Sequence, residues 1–170
     1  MFSQPSILKY NWYAVYTKSR VEKKVYEDLT EAGYEAYVPL VKVLKQWSDR
    51  KKWVREPLIR SYVFVKASEK EYYNILNTNG IVKYVTFEGK AAPIPENQIN
   101  MLKAFIDHKL DITVTTERHK KGELINIAHG PLRGHKGEII EISGKKQFLI
   151  RIENIGYSLV VKIPAMYLEE

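Results

Sequence analysis

Residues 11–33 read NWYAVYTKSRVEKKVYEDLTEAG, and this stretch predicts how the fold begins. Its first seven residues are rich in aromatic and β-branched side chains, which are typical of a strand. Apolar residues then recur at helical spacing as far as Gly33, which allows the left-handed backbone that ends many helices. Ser19 and Glu22 have the spacing of a capping box, in which each side chain accepts a hydrogen bond from the other residue's backbone. The stretch therefore predicts a strand followed by a capped helix.

Residues 34–107 continue this succession of strands and helices. The predicted elements are strands over 34–39, 61–66 and 81–87, hairpin strands over 41–47 and 53–57, and helices that start at Ser68, with Glu71 as its capping partner, and at Pro95. The hairpin strands flank a basic tip at residues 48–52. Apart from the hairpin, the order is strand, helix, strand, strand, helix, strand. This order is typical of ferredoxin-like split βαβ domains.

The chain beyond residue 107 has a different pattern. Residues 108–119 are polar and weakly periodic, which predicts a linker. Residues 120–170 contain short runs of alternating apolar and polar side chains separated by glycines, and this period-two pattern argues against helices. The predicted fold class is therefore α+β: a ferredoxin-like N-terminal domain at 6–107 that carries a basic hairpin, followed by a small SH3-like β-barrel at 120–170.

Composition restricts the class of protein. The chain has 170 residues, of which 45% are hydrophobic and 28% charged, as in globular proteins, and it contains no cysteine. Disulfide scaffolds, thiolate metal sites and cysteine nucleophiles are therefore excluded. No apolar run reaches membrane-spanning length, and the first residues lack the pattern of a signal peptide. The expected location is the cytoplasm, without membrane contact.

The net charge is +7, and the excess of basic residues is concentrated in the first part of the chain. Residues 1–110 hold 18 basic and 12 acidic residues, whereas residues 111–170 hold 9 and 8. This asymmetry indicates that the first part contacts a polyanion and that the second part contacts another kind of partner. Solubility alone is the alternative explanation of the positive charge.

An enzyme is not expected. The sequence contains no nucleophile motif and no glycine-rich nucleotide fingerprint, and its four histidines lack the helical spacing of a zinc site. No catalytic residue, no metal and no cofactor is therefore predicted.

Short motifs occur in both halves of the chain. Those of the first half are Trp12-Tyr13-Ala14-Val15-Tyr16-Thr17, Glu22-Lys23-Lys24, Val38-Pro39, Tyr62-Val63-Phe64-Val65 and Asn79-Gly80-Ile81. Together they resemble the N-terminal domain of NusG-type transcription elongation factors. Residues 121–127 and 130–139, which read KGELINI and GPLRGHKGEI, resemble that family's KOW motif. The resemblance covers nearly the whole chain, in the family's order, and implies a KOW domain at 120–170.

The resemblance also implies a function. A factor of this kind is expected to bind the clamp helices of RNA polymerase, to lie near the non-template DNA or the nascent RNA, and to suppress pausing and termination of transcription. Its KOW domain is expected to dock a ribosomal protein or a termination factor. The expected protein is a monomeric transcription antitermination and elongation factor.

One segment departs from the housekeeping pattern of the family. Where the family has Phe-Pro-Gly before its tyrosine, this chain has Ile59-Arg60-Ser61. In residues 57–62 generally, the chain resembles specialised paralogs such as RfaH and the UpxY antiterminators of capsular polysaccharide operons, which implies action on specific operons. A housekeeping NusG that acts generally and a ribosome-associated KOW protein that binds RNA are the alternatives.

The polymerase site is expected on one face of two strands. Alternation places Trp12 and Tyr16 on one face of the first strand, and Tyr62 and Phe64 on one face of a later strand. The family uses the matching surface as an apolar pocket for the clamp helices. With Ile59, these four are the predicted polymerase-binding residues. A position in the core is the alternative for Trp12 and Phe64.

Two groups of residues are predicted to bind nucleic acid. The hairpin places cations beside Trp47 and Trp53; cations neutralise phosphates, and an exposed indole offers a stacking face for a base. The alternative is a solvated hairpin whose indoles pack across the strands. The second group matches positions near the non-template strand in the specialised paralogs, and ordinary caps and turns are its alternative. The predicted residues are Lys42, Lys45, Arg50, Lys51, Lys52 and Arg55 in the hairpin, and Lys18, Arg20, Thr78 and Asn79 in the second group.

The KOW loop is the last candidate site. Its glycines allow turns with positive φ, and its other side chains place charge on the loop. The resemblance implies that this loop belongs to the surface that docks the KOW partner, and turn glycines required only by the barrel are the alternative. The candidate residues are Gly130, Arg133, Gly134, His135, Lys136 and Gly137.

Overall fold

A computed structural model describes residues 8–117, 121–142, 144–152, 155–163 and 165–167. Parts of the predicted segments lie outside the described residues: 6–7 of the N-terminal domain, 118–119 of the linker, and 120, 143, 153–154, 164 and 168–170 of the barrel. The predicted domain boundaries themselves stay a prediction.

The described residues form three α-helices and fourteen strands. The helices are α1 (Glu22–Glu31), α2 (Tyr72–Leu76) and α3 (Glu96–Asp107). The strands are β1 (Asn11–Thr17), β2 (Glu35–Tyr37), β3 (Leu40–Gln46), β4 (Lys51–Pro57), β5 (Tyr62–Ala67), β6 (Ile81–Tyr84), β7 (Thr86–Phe87), β8 (Lys90–Ala91), β9 (Pro93–Ile94), β10 (Ile112–Thr115), β11 (Glu123–Asn126), β12 (Lys136–Ile142), β13 (Lys145–Ile152) and β14 (Tyr157–Val161). None of the helices within this described part is long and apolar enough to cross a membrane.

By their contacts, these elements form two compact units. The first contains the residues up to Val38 together with Arg60–Glu96. The second contains Pro39–Ile59 together with the residues from Asn97 onward. The hairpin and most of α3 therefore group with the C-terminal strands.

The first unit is built on an antiparallel sheet with the strand order β2-β5-β1-β6. Helix α1 connects β1 to β2, and α2 connects β5 to β6. Counted among themselves along the chain, the four strands have the order 2-3-1-4, which is that of a ferredoxin-like split βαβ domain. The fold predicted for this part of the chain is confirmed.

The central strands of this sheet carry its core. Val15 on β1 lies directly opposite Val63 on β5, and neither side chain has exposed surface. Val25 and Leu29 of α1 and Ile75 of α2 are equally buried. Burial of each such side chain stabilises the fold by about 1.5–3 kcal/mol. Ala14 and Phe64, which pair on the other face of the same two strands, are buried as well, so the centre of this sheet is covered on both faces.

Helix α1 does not begin with the capping box predicted at Ser19 and Glu22, and that prediction was wrong. The helix begins at Glu22, its N-cap residue is Val21, and no side chain caps it. The buried Glu22 carboxylate instead accepts a hydrogen bond of 2.7 Å from the backbone N–H of Ser61. The sequence pattern is local, whereas this bond joins residues 39 positions apart.

The second capping box, at Ser68 and Glu71, is confirmed. The Glu71 carboxylate accepts hydrogen bonds of 2.8 Å from both the backbone N–H and the hydroxyl of Ser68. This box opens the short 3-10 turn that leads into α2. The two residues are three positions apart, so the local pattern was sufficient to predict their contact.

In the second unit, β3 and β4 form a two-stranded hairpin. The register runs from Leu40 opposite Pro57 to Gln46 opposite Lys51. The backbone N–H of Trp47 donates a hydrogen bond of 2.8 Å to the carbonyl of Arg50 and closes the turn. The turn is shorter than the basic tip predicted at 48–52, because β4 already begins at Lys51.

The rest of this unit is a five-stranded antiparallel sheet with the order β10-β14-β13-β12-β11. The β structure predicted after residue 120 is confirmed by β11 to β14. Strand β10 lies within the predicted linker, so the structure differs from the prediction at these four residues. They read ITVT, which offers only two apolar side chains, and pairing of Ile112 with Val161 of β14 decides their structure.

An ion pair joins two strands of this sheet. Glu138 on β12 accepts hydrogen bonds of 2.8 and 3.1 Å from Arg151 on β13, and one of 2.9 Å from the backbone N–H of Gly122. The Arg151 guanidinium, with help from the Gly122 bond, holds the pKa of Glu138 below its usual value against the opposing effect of burial.

This lowered pKa predicts that acid weakens the sheet. A carboxylate with a lower pKa in the folded than in the unfolded chain stabilises the fold above the unfolded pKa, and this is lost as the pH falls through the folded pKa. We expect Glu138→Gln to lower the free energy of unfolding at neutral pH by about 1–3 kcal/mol and to reduce its pH dependence. Urea unfolding at neutral and acidic pH measures both, with Glu141→Gln, an exposed position on the same strand, as the control. An unchanged pH dependence in Glu138→Gln would contradict the role of the ion pair.

Candidate functional site

Two tyrosines form an exposed end of the central strand pair in the first unit. Tyr16 on β1 lies directly opposite Tyr62 on β5, and their rings meet edge to face with centroids 5.5 Å apart. Tyr16 is exposed and Tyr62 is half-buried. Aromatic cross-strand pairs hold each other in place, so this pair presents a preformed apolar surface that also carries two hydroxyl groups.

A surface pocket of about 400 Å³ opens beside this pair, and it is lined by Tyr16, Tyr62, Lys83, Tyr84, Val85 and Thr86. Lys83 on β6 lies opposite Tyr16 on β1, which places a cation at an aromatic pocket. Four of these residues, Lys83, Tyr84, Val85 and Thr86, were not predicted as site residues, because only the sheet order makes β6 a neighbour of β1. The predicted ferredoxin-like order was the signal that could have identified them.

The other three residues predicted to bind the polymerase are buried. The exposed fractions of Trp12, Ile59 and Phe64 are 2%, 1% and 0%. Phe64 stacks on the ring of Tyr37 with centroids 6.4 Å apart. The core position, which the sequence left open for Trp12 and Phe64, is the one that the structure assigns. Both share the sheet face of Tyr16 and can support it from within, but they offer no surface to a partner.

The second group of predicted nucleic-acid residues comes together at one pair of loops. The backbone N–H of Lys18, just after β1, donates a hydrogen bond of 2.9 Å to the carbonyl of Gly80, just before β6. Lys18, Arg20 and Asn79 are exposed, and Thr78 is half-buried. The four predicted residues therefore flank one backbone junction, with two cations on it.

Gly80 is required at this junction. Its φ is +92°, and a Cβ at this position would lie 2.9 Å from Cγ2 of Val25 and 3.1 Å from Cγ2 of Val21 on the neighbouring helical segment. Only glycine combines the left-handed backbone with such close packing. Arg20 also has a positive φ, +67°, which is uncommon outside glycine and marks a constrained loop.

All six paired side chains on one face of the hairpin are exposed. We call this the outer face, and it consists of Lys42, Leu44, Gln46, Lys51, Trp53 and Arg55. Trp53 is 64% exposed, and Leu44, which lies opposite it, is 47% exposed. Trp47, beside the turn, is 44% exposed. The indoles are therefore available to a partner and not packed away across the strands.

The opposite face of the hairpin is different. Val43 and Val54 are half-buried there, and Lys45 forms an ion pair with Glu56. Of the six cations predicted in the hairpin, Lys42, Lys51 and Arg55 lie on the outer face, Lys45 and Lys52 on the opposite face, and Arg50 at the turn.

The glycines of the KOW loop are explained by the fold. The backbone N–H of Gly134 donates a hydrogen bond of 2.8 Å to the carbonyl of Ile127, and both Gly130 and Gly134 have positive φ. A Cβ on Gly137 would lie 2.3 Å from the ring of Phe148. The sheet therefore needs these glycines whether or not the loop meets a partner.

The charge of the KOW loop comes from two residues. Arg133 and Lys136 are exposed. His135 is half-buried, its ring 6.3 Å from that of Phe105 on α3, and burial lowers its pKa. Arg133 and Lys136 are the exposed cations that the loop presents.

Comparison with known proteins agrees with this architecture. The family model described as transcription termination factor nusG matches residues 10–103, more than half of the chain. The transcription termination/antitermination protein NusG of Rickettsia felis is 22% identical over 149 residues, which cover 81% of this chain and 78% of that protein. The protein of the same name from Streptococcus pyogenes serotype M1 is 22% identical over 173 residues, which cover 94% and 95%.

A solved structure shows the same fold. A structure of Thermotoga maritima NusG covers 95% of this chain and 97% of its own, with 22% identity and a TM-score of 0.51. The family match includes the Tyr16–Tyr62 pair and the whole hairpin. The resemblance seen in the sequence motifs is confirmed: this chain belongs to the NusG family of transcription termination and antitermination factors.

Proposed function

We propose that this protein binds the clamp helices of RNA polymerase and suppresses pausing and termination on specific operons, such as capsular polysaccharide clusters. Factors of the NusG family bind RNA polymerase and nucleic acid. The Tyr16–Tyr62 pair beside a surface pocket carries the proposal. Tyrosines held by each other lose little side-chain entropy on binding, so they are good anchors for an apolar helical partner.

The pocket would act by favouring one state of the polymerase. A factor that binds the closed clamp more tightly than the open clamp raises the population of the closed state. A tenfold difference between the two affinities corresponds to about 1.4 kcal/mol and changes the equilibrium tenfold. A modest preference is therefore sufficient to disfavour the paused states that precede termination.

The exposed cations would supply a second contact, to the non-template DNA or the nascent RNA. Lys18 and Arg20 flank one loop junction, and six further cations lie in the hairpin against only Asp49 and Glu56. Phosphate contacts of this kind release counterions, so their affinity falls as salt rises. A protein attached to both clamp and nucleic acid opposes clamp opening more strongly than either contact alone.

The segment before Tyr62 supports action on specific operons. Ser61 has a φ of +62°, in the left-handed region that glycine adopts most readily, and it stands where the housekeeping pattern has glycine. Its backbone N–H is held by the buried carboxylate of Glu22. Ile59 replaces a phenylalanine and is buried. This departure lies next to a pocket residue, which is where a specialised paralog would differ.

The KOW domain, proposed at 120–170 beyond the 108–119 segment, would tether a second partner. The exposed Arg133 and Lys136 fit an acidic surface on a ribosomal protein or a termination factor. The intervening segment would set the effective concentration of this partner. We place the factor in the cytoplasm with the transcription machinery, as a monomer.

Transcription in vitro tests the proposal. Cognate RNA polymerase transcribes through a terminator with and without the protein, on a generic template and on the leader of a candidate capsule operon. We expect more readthrough on the leader only. An effect on both templates would identify a general elongation factor. No effect on either template, with folded protein, would favour an RNA-binding protein of the ribosome.

A further inference from the structure

The outer face of the hairpin has a regular arrangement of side chains. Three successive cross-strand pairs point to this face: Lys42 with Arg55, Leu44 with Trp53, and Gln46 with Lys51. A cationic pair is thus followed by an apolar pair and then by a polar pair with one cation. Successive pairs on one face are about 7 Å apart, because a strand rises about 3.4 Å per residue.

The cationic pair places two like charges side by side. Lys42 and Arg55 are directly opposite and exposed, and neither forms an ion pair with any residue that the structure describes. Like charges in this position repel each other and weaken a hairpin. Both line a groove of about 440 Å³, to which Lys109 adds a third cation and Asp107 a carboxylate. The net charge around the groove favours an anion, and an anion placed there would remove the repulsion between the strands.

The apolar pair next to it is exposed to an unusual extent. Trp53 and Leu44 together present an indole face and an aliphatic side chain to solvent, and Trp47 adds a second indole near the turn. Exposed tryptophan contributes nothing to a core, but it offers a flat surface on which any base can stack. An apolar protein partner would not explain the cations on either side of the indole.

We infer that the outer face binds single-stranded nucleic acid, with a phosphate at Lys42 and Arg55 and the adjoining base stacked on Trp53. The spacing of the pairs is close to the length of one extended nucleotide. One pair can therefore contact a phosphate while the next pair contacts the adjoining base. A duplex keeps its bases stacked on one another and cannot offer a base face to Trp53. This inference deepens the nucleic-acid contact of the proposed function, yet it is measured without polymerase.

Fluorescence anisotropy of the full-length protein with labelled oligonucleotides tests the inference. The probes are a short single-stranded oligodeoxythymidine, its RNA counterpart, and a duplex of equal length. We expect the single strands to bind more tightly than the duplex. Trp53→Leu should weaken single-strand binding about tenfold without changing the salt dependence, since stacking does not involve counterions. Trp53→Phe, which keeps an aromatic ring, should retain most of the affinity.

Matched variants separate this site from general attraction between charges. Lys42→Gln combined with Arg55→Gln should weaken binding and reduce the log–log salt slope by about 0.7 per lost phosphate contact. Lys52→Gln, on the opposite face of the same strand, should have less than half the effect on the slope. Phe87→Leu is the aromatic control, because Phe87 lies in the other unit and is 64% exposed, like Trp53.

The outcomes that contradict the inference are distinct from those that contradict the proposed function. Wild-type affinity in Trp53→Leu, a duplex that binds as tightly as the single strand, or an equal loss in Lys52→Gln would each overturn the stacking site. Circular dichroism establishes that the variants are folded. Tyr62→Ala should still bind the oligonucleotide normally. If polymerase binding fails while the oligonucleotide results hold, only the proposed function is lost.

Discussion

Tyr62→Ala is expected to weaken binding to RNA polymerase at least about thirtyfold, the range of interface hot spots, and to abolish readthrough of a terminator. Tyr62 forms one wall of the surface pocket, and its ring holds the ring of Tyr16. The substitution removes that wall and leaves Tyr16 free to adopt other rotamers, so both the contact area and the preorganisation are lost. Equilibrium binding to core RNA polymerase measures the effect.

Tyr73→Ala is the matched control for this prediction. Tyr73 is 73% exposed, lies in the same unit, and its ring meets that of Tyr72 instead of the pocket pair. We expect this variant to bind the polymerase like the wild type. Tyr62→Phe should also bind well, since it keeps the ring. Wild-type affinity in Tyr62→Ala would remove the pocket from the mechanism.

Gly122→Ala is expected to lower the free energy of unfolding of the C-terminal sheet by about 3 kcal/mol or more. A Cβ on Gly122 would lie 2.1 Å from the carbonyl oxygen of Ile139, which is a backbone atom of β12. Ile139 is paired with strands on both sides, so it cannot move away without breaking the sheet. The shift would also disturb the hydrogen bond from Gly122 to Glu138. Urea unfolding of the full chain, followed by circular dichroism, measures the loss.

Gly134→Ala provides the comparison for this variant. Gly134 has a φ of +89°, and a Cβ there would meet no atom within 4 Å. We expect a cost of about 1 kcal/mol from the left-handed backbone alone. If the two variants lose equal stability, crowding at Gly122 is not what makes the glycine necessary.

The elements of the fold were predictable where the signal is local. The aromatic and β-branched side chains of residues 11–17 and the nearly continuous apolar run of residues 61–66 predicted β1 and β5, and the Ser68–Glu71 box formed as expected. The Ser19–Glu22 box failed because a distant backbone N–H, that of Ser61, competes for the carboxylate. Strand β10 was missed because its apolar pattern is too short to distinguish it from a linker.

At the candidate polymerase site, local sequence likewise predicted only part of the arrangement. Alternation placed Trp12 and Tyr16 on one face, and Tyr62 and Phe64 on one face, as the register of β1 and β5 confirms. The two-residue period of a strand assigns each side chain to a face of the sheet. It does not predict which end of that face is buried by other elements. Burial of Trp12 and Phe64, and exposure of Tyr16, come from the packing of elements remote in the chain.

By itself, the sequence determined the order of strands and helices in the ferredoxin-like part, the α+β class and the family, because periodicity, turn residues and motif spacing are properties of neighbouring residues. Only the tertiary structure decided that Lys83 joins the tyrosine pocket and that the hairpin exposes Trp53 between cations. It also decided that the Glu22 carboxylate accepts a hydrogen bond from the backbone N–H of Ser61. Each of these depends on which strands pair and which faces are covered. Those are contacts between residues far apart in the chain, and no local pattern contains them.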